Sequence, residues 1–108
     1  LVYPTRPANF FHLIRRQMKR NFRKPLVIAG PKTLLRHPKC LSKFEEMSQI
    51  DHFQRVLHYT NKEALGSCKT LLLCSGKYVY DIEALLQNNK INNVSLITVE
   101  ELFPFPEE

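Results

Sequence analysis

The stretch 70–76, TLLLCSG, decides the fold of the second half of the chain. Its uncharged apolar run predicts a β-strand covered on both faces, as in a parallel sheet, and its Ser-Gly pair predicts a tight turn. Residues 79–88 follow with apolar side chains at helical spacing, and residues 94–99, VSLITV, have the pattern of a second strand. Strand, turn, helix and strand in this order predict a βαβ unit over residues 69–108.

One helix covers only one face of a two-stranded sheet, so this unit predicts a larger α/β domain than the sequence holds. The sequence has 108 residues, no initiating Met and no pattern of a secretory signal at its start. It also lacks an apolar run long enough to cross a bilayer. We therefore expect a soluble, truncated piece of a longer α/β protein.

The first half predicts one amphipathic helix followed by a strand. Thr5 and the prolines beside it predict a helix start, and the helix continues from Ala8 to about residue 21. A stripe of apolar residues is expected to be its buried face: Phe11, Ile14, Met18 and Phe22, widened by Phe10 and Leu13. The run 26–29, LVIA, predicts a strand covered on both faces. Residues 39–68 lack a continuous pattern and are interpreted as a connector, apart from a short helix that Ser42 and Glu45 would cap.

Charge is distributed unevenly along the chain. Residues 1–44 contain eleven Lys and Arg and no acid, whereas residues 45–108 contain five bases and ten acids. Arg15, Arg16 and Lys19 on the predicted helix are candidates for binding an anionic ligand, because Arg offers planar paired donors to phosphate or carboxylate. The alternatives are a solvated face, an intrachain partner for the acidic half, or a nucleic-acid surface, of which the last is the least favoured.

Catalytic and metal-binding motifs are absent from the sequence. The turn 74–77, CSGK, fits neither the GxxxxGK[ST] nor the GxGxxG phosphate-binding pattern. The four histidines have no metal-ligand spacing, and three cysteines without a CxxC pair favour a reducing compartment over a disulfide framework. Hence the residues by themselves indicate no catalytic or metal site.

Four stretches, taken together and in order, resemble one known family. Residues 4–17, PTRPANFFHLIRRQ, are similar to its STPANxFHxLRRQ helix, and residues 22–38 are similar to FRKPLIV…SPKSLLRHP. Residues 74–81, CSGKYVYD, resemble CSGKVYYDL, and residues 99–106, VEELFPFP, resemble IEQLYPFP. The family is the thiamine-diphosphate-dependent first component of the 2-oxoglutarate dehydrogenase complex, with its close relative that acts on 2-oxoadipate. Gly30 in place of Ser and the order Tyr-Val-Tyr after Lys77 are mild departures.

The resemblance implies pieces of two transketolase-like parallel-sheet domains. Residues 1–38 would end the pyrimidine-binding domain, residues 39–68 would be the connector, and residues 69–108 would open the C-terminal domain. The full enzyme would oxidatively decarboxylate 2-oxoglutarate in the tricarboxylic acid cycle, with 2-oxoadipate as the alternative substrate. The stretch 52–56, HFQRV, is more similar to the 2-oxoglutarate branch. A stand-alone anion-binding or nucleic-acid-binding module is the hypothesis of a different class.

The resemblance also implies cofactors and partners for the full-length enzyme. These are thiamine diphosphate with magnesium, a homodimer mate, and a lipoyl-bearing second component that receives the succinyl group. The GDG…N motif that would hold magnesium and the diphosphate is absent, so no catalytic or cofactor-binding residue is assigned and the piece alone is expected to be inactive. A phosphate-bearing effector that binds near Arg16 is a further hypothesis. The expected compartment is the mitochondrial matrix, or the cytoplasm for a bacterial parent.

Overall fold

A computed structural model describes residues 1–50, 52–60 and 67–107. The chain forms two compact units, unit 1 over Leu1–Gln54 and unit 2 over Arg55–Glu108. Residues 51 and 61–66 of the predicted connector, and the last residue of the predicted βαβ unit, lie outside the described residues. No helix in the described part of the chain is both long and apolar enough to span a membrane.

Unit 1 is built around one helix. This helix, α1, spans Pro7–Lys19 and confirms the helix predicted from the amphipathic pattern. A short 3-10 helix follows at Lys32–Arg36, and one turn of helix, α2, lies at Glu45–Ser48. The first residues of the chain run beside the segment after α1, because the amide of Val2 donates to the Val27 carbonyl at 3.0 Å.

Unit 2 contains a three-stranded sheet in the order β1–β3–β2, with a helix between its last two strands. The elements are β1 at Val56–His58, β2 at Thr70–Cys74, α3 at Tyr78–Asn88 and β3 at Val94–Val99. Strands β2 and β3 are parallel, from the pair Thr70–Val94 to the pair Cys74–Thr98. The predicted strand–helix–strand unit is therefore confirmed in its elements and in its strand direction.

The central strand β3 carries the core of unit 2. Leu96 on this strand and Val79 on α3 are fully buried, with 0% of their surface exposed. Tyr80 of α3 is also buried and meets Tyr59 edge-to-face, with ring centroids 6.0 Å apart. Since β3 has a paired strand on each side, its backbone groups find partners in both neighbours. This makes β3 the most protected element of unit 2.

Three sequence-based expectations about strands are wrong. First, the sheet is mixed rather than parallel, because β1 pairs antiparallel with β3. Strand β1 lies inside the segment that was interpreted as a connector. Second, residues 26–29 form only one bridge, between Val2 and Ile28, and Val27 is 58% exposed. Third, β2 is not covered on both faces, since Leu73 is 58% exposed. An apolar run indicates that a strand can be buried on both faces, but burial requires a neighbouring segment that packs on it. The described residues provide no such segment for Val27 or Leu73.

Helix α3 ends in a Schellman motif that places a lysine in a left-handed conformation. The amide of Ile91 donates to the Leu86 carbonyl at 2.9 Å, and the amide of Lys90 donates to the Gln87 carbonyl at 3.2 Å. Lys90 has φ 52°, a region that suits glycine better than a residue with a Cβ. The helix therefore ends at Asn88 with Asn89 as its C-cap residue, which confirms the end that the pattern predicts.

Lys90→Gly is expected to stabilise the end of α3 by about 1 kcal/mol, because glycine removes the cost of the left-handed conformation. Amides of the last turn of α3 in the longer parent protein should exchange with deuterium about fivefold more slowly. Gln87→Gly, inside the same helix, is the matched control and should cost about 1 kcal/mol. Faster exchange in both variants would contradict this interpretation of the helix end.

Candidate functional site

The basic residues of α1 do not act as one group. Arg16 is half-buried, and its guanidinium carbon lies 4.5 Å from the ring centroid of Phe53, which is itself buried. Arg15 is also half-buried, whereas Lys19 is exposed at the last residue of the helix. The structure therefore distinguishes Arg16, which is fixed against an aromatic ring, from the other two candidates.

Arg16 lines a groove at the carboxyl end of α1, with a cavity volume of about 350 Å³. Two further cations line the same groove, Arg20 and Lys24, while Arg15 and Lys19 do not. Arg20 could be identified from the sequence, because it lies one helical turn after Arg16. Lys24 follows the helix end, so helical spacing could not have identified it. The basic groove is defined here by Arg16, Arg20, Phe22 and Lys24.

The opposite end of α1 is held by polar contacts with residues 40–54. The side chain of Asn9 pairs with the backbone of Gln54 in both directions, as Nδ2 donates to its carbonyl at 3.0 Å and Oδ1 accepts from its amide at 2.8 Å. His12 donates from Nε2 to the Glu46 carbonyl at 2.8 Å, which requires a proton on Nε2 because a carbonyl can only accept. Asn9 and His12 are each only 2% exposed. Two buried side chains thus hold a segment that has little regular structure.

The start of α1 is capped from a distance. The N-cap residue is Arg6, one position after the Thr5 that the sequence suggested, and Arg6 makes no side-chain capping bond. Instead, the amide of Ala8 donates to Oγ of Ser42 at 3.0 Å. Ser42 therefore does not cap α2, as its sequence position suggested, and α2 begins after Phe44. A serine 34 positions away satisfies one of the amides that every helix start leaves unpaired.

Most of the apolar stripe predicted to be the buried face of α1 is exposed. Phe11, Ile14, Met18 and Phe22 are between 42% and 64% exposed, and of the two residues that widen the stripe only Leu13 is buried. The buried residues of the helix are Ala8, Asn9, His12 and Leu13. The two buried polar side chains bond to the backbone, Asn9 through both of its amide atoms and His12 through Nε2, while His12 Nδ1 is buried without a hydrogen-bond partner.

Asn9→Ala is expected to destabilise unit 1 by about 2 to 3 kcal/mol, because it leaves the buried amide and carbonyl of Gln54 without partners. Deuterium exchange of peptides covering residues 5–17 and 44–54 in the parent protein should accelerate together. Lys19→Ala, at an exposed position of the same helix, should leave both segments within twofold of the parent. Acceleration confined to residues 5–17 would show that Asn9 does not hold the second segment.

The carboxyl ends of the two parallel strands in unit 2 bring Cys74 close to Glu100. Burial, and next the negative charge of Glu100, raise the pKa of the Cys74 thiol above its ordinary value. Beside it, Arg55 forms an ion pair with Glu101 at 2.9 Å and donates to the Pro104 carbonyl at 3.2 Å. The amide of Glu100 donates to the Arg55 carbonyl at 2.8 Å. These contacts fix the segment after β3 against the start of β1.

This strand edge is not built for nucleophilic or metal chemistry. A nucleophilic cysteine needs a lowered pKa, and Cys74 is shifted in the opposite direction. Among the described residues, no group of three His, Cys, Asp or Glu could hold a metal ion. The contacts of Arg55 with Glu101 and with the Pro104 carbonyl make this edge a junction between the start of β1 and the segment after β3.

Glu100→Gln is expected to lower the pKa of Cys74, because it removes a negative charge that disfavours the thiolate. Since the thiolate is the reactive form, alkylation of Cys74 by iodoacetamide at pH 8 should become faster. Mass spectrometry of the Cys74 peptide gives the rate, with Cys40 in the same molecule as the internal reference. A rate for Cys74 that does not change would mean that the charge of Glu100 does not reach the thiol.

Comparison with known proteins relates the chain to the 2-oxo acid dehydrogenases. A family model described as 2-oxoglutarate dehydrogenase C-terminal matches residues 41–108. The chain is 44% identical over 108 residues to a probable 2-oxoadipate dehydrogenase complex component E1 homolog of Dictyostelium discoideum, across 97% of this chain. It is 42% identical over 111 residues to the 2-oxoglutarate dehydrogenase E1 component of Brucella anthropi, across 94% of this chain. The chain spans only 12% and 11% of the lengths of these two relatives.

Proposed function

Because the chain belongs to the 2-oxoglutarate dehydrogenase C-terminal family, we propose that it is part of a thiamine-diphosphate-dependent first component of a 2-oxo acid dehydrogenase complex. The observation that carries this proposal is the identity of 42 to 44% across nearly the whole chain. That similarity includes the residues before position 41, which lie outside the match to the family model. The parent protein would release carbon dioxide from a 2-oxo acid and pass the acyl group to a lipoyl arm.

The proposed domain bounds are those that the family resemblance implies. Residues 1–38 would end the pyrimidine-binding domain, residues 39–68 would connect, and residues 69–108 would open a transketolase-like C-terminal domain. Parallel pairing of β2 with β3 across α3 supports the assignment of the last segment. Exposed apolar side chains in both units, such as Ile14 and Leu73, support a parent chain whose other segments cover them.

Thiamine diphosphate would supply the carbanion chemistry of the parent enzyme. The residues of this chain do not fit its magnesium–diphosphate group: the sequence lacks the GDG…N motif, and the described residues include no three-ligand cluster. We therefore assign no step of the reaction to them. Their proposed role is to position and support, as Arg55 does where it fixes the segment that follows β3.

The proposed partners are those of the parent enzyme as a whole. They are the rest of the same chain, a homodimer mate, and the lipoyl-bearing second component of the complex. The proposed compartment is the mitochondrial matrix for a eukaryotic parent and the cytoplasm for a bacterial one, and the relatives include organisms of both kinds. The substrate we favour is 2-oxoglutarate, because the stretch 52–56 resembles that branch.

The test is the activity of the full-length parent, purified and supplied with thiamine diphosphate and magnesium. We expect release of labelled carbon dioxide from 2-oxoglutarate, with 2-oxoadipate measured in parallel at the same concentration. Pyruvate is the control substrate and should give little release. Preference for 2-oxoadipate would correct the substrate while keeping the reaction, and no release from any of the three would refute the proposed function.

A further inference from the structure

We propose that a groove in unit 1, between the start of α1 and the 3-10 helix Lys32–Arg36, binds an acidic segment of a separate protein. The groove has a cavity volume of about 280 Å³ and is lined mainly by apolar side chains and one thiol: Pro4, Pro7, Phe10, Leu34, Leu35 and Cys40. This apolar groove lies at the amino-terminal end of α1, whereas the basic groove lies at the carboxyl end. The inference concerns a protein partner and does not depend on the proposed catalytic activity.

The two walls of the apolar groove are held together within unit 1. The thiol of Cys40 donates to the carbonyl of Thr5 at 3.3 Å, which joins the segment after the 3-10 helix to the start of α1. The amide of Cys40 donates to the His37 carbonyl at 3.0 Å, and the amide of His37 donates to the Leu34 carbonyl at 3.3 Å. Since these bonds form without a partner, little ordering of the groove is needed when a partner binds.

One apolar and two basic side chains of the 3-10 helix are exposed at the apolar groove. Leu35 is 84% exposed, although it lines the groove. Residues three apart in a 3-10 helix eclipse each other, so Lys32 lies on the same face as Leu35. Lys32 and Arg36 are both exposed, and no carboxylate among the described residues forms an ion pair with either. The groove therefore combines an apolar surface with positive charge that is not paired.

This combination determines the chemistry of the partner. The volume of the groove suits one bulky apolar side chain, and carboxylates beside that side chain would pair with Lys32 and Arg36. The same segment of a second copy does not fit this description, because residues 1–44 contain no carboxylate. A segment with an aromatic or aliphatic side chain between acidic residues does fit it.

The charge beside the apolar groove also favours a separate protein over another part of the parent chain. Permanent interfaces are more apolar than transient ones, and charge at an interface mainly steers the encounter of separate molecules. Ile14 and Met18 of the α1 stripe have the uncharged character of a permanent contact, whereas Leu35 lies between two exposed cations. We therefore assign the stripe to contacts within the parent and the apolar groove to a reversible partner.

The first measurement establishes whether the apolar groove is open in the full-length parent. Acetic anhydride, at a dose that modifies few lysines, reacts with exposed amines, and mass spectrometry gives the rate at Lys32. We expect a rate within about tenfold of that in the urea-denatured parent, because the side chain is exposed. A slower rate would show that the parent chain itself covers the groove, and would overturn the proposal.

The second measurement uses a probe with the chemistry expected of the partner. It is a fluorescent synthetic peptide with one phenylalanine between two pairs of glutamates, titrated against the full-length parent by anisotropy. Leu35→Ser should weaken binding about tenfold, and Lys32→Gln with Arg36→Gln should do the same. The matched controls in unit 2 are Leu73→Ser and Lys69→Gln with Lys90→Gln, which change exposed residues and should leave the affinity within about twofold.

Three further results would overturn the proposal. One is no binding of the peptide by the unmodified parent, and another is an equal loss in the groove variants and the controls. The third is tighter binding of phosphatidylcholine–phosphatidylserine vesicles, lost in the Lys32 and Arg36 variant, which would show a membrane surface instead. Because Leu35 is so exposed, Leu35→Ser should fold normally and keeps the test decisive. Decarboxylation is measured separately, so failure of this site and failure of the proposed activity are distinguishable.

Discussion

Unit 1 depends on the burial of the polar face of α1. Asn9 behaves like a short piece of β-strand, offering an amide donor and an acceptor to both backbone groups of Gln54. His12 adds a donor to the carbonyl of Glu46, and Ser42 returns an acceptor to the start of the helix. These bonds connect the helix to a segment whose regular structure, among the described residues, is the single turn of helix α2. Each bond satisfies a backbone group that burial would otherwise leave without a partner.

Apolar side chains are exposed in both units. In unit 1 the stripe of α1 is exposed, and in unit 2 the edge strand β2 presents Leu71 and Leu73, which are 53% and 58% exposed. A monomeric soluble protein seldom leaves such surface open. A sequence that spans about a tenth of its relatives explains this surface well, because the missing cover can come from the rest of a longer chain.

Much of the fold could be predicted from the sequence because its main elements are encoded by local pattern. The periods of α1, β2, α3 and β3 predicted these elements to within about two residues at most boundaries. What failed depends on distant partners. The strand β1 is too short to show an alternation, and its pairing with Val99 is visible only in three dimensions. Burial on α1 was predicted correctly for Leu13 but not for most of the stripe, since the pattern measures hydrophobicity and cannot show that the backbone of Glu46 and Gln54 bonds to His12 and Asn9. Of the candidate site, Arg16 was identified from its charge, while Lys24 depended on a turn whose path the sequence does not specify.

The charged and titratable side chains have different surroundings in the two units. In unit 2, Arg55 forms an ion pair with Glu101. Burial and the negative charge of Glu100 raise the pKa of Cys74, which favours its less reactive thiol form. Such pairing stabilises a junction and lowers its reactivity. In unit 1, by contrast, Arg20 and Lys24 both lie near the ring of Phe22, and no carboxylate among the described residues forms an ion pair with either. Cations held close together in this way repel each other. Arg55 and Glu101 of unit 2 are therefore paired within the described residues, whereas these two charges of unit 1 are surrounded by aromatic and solvent-exposed positions.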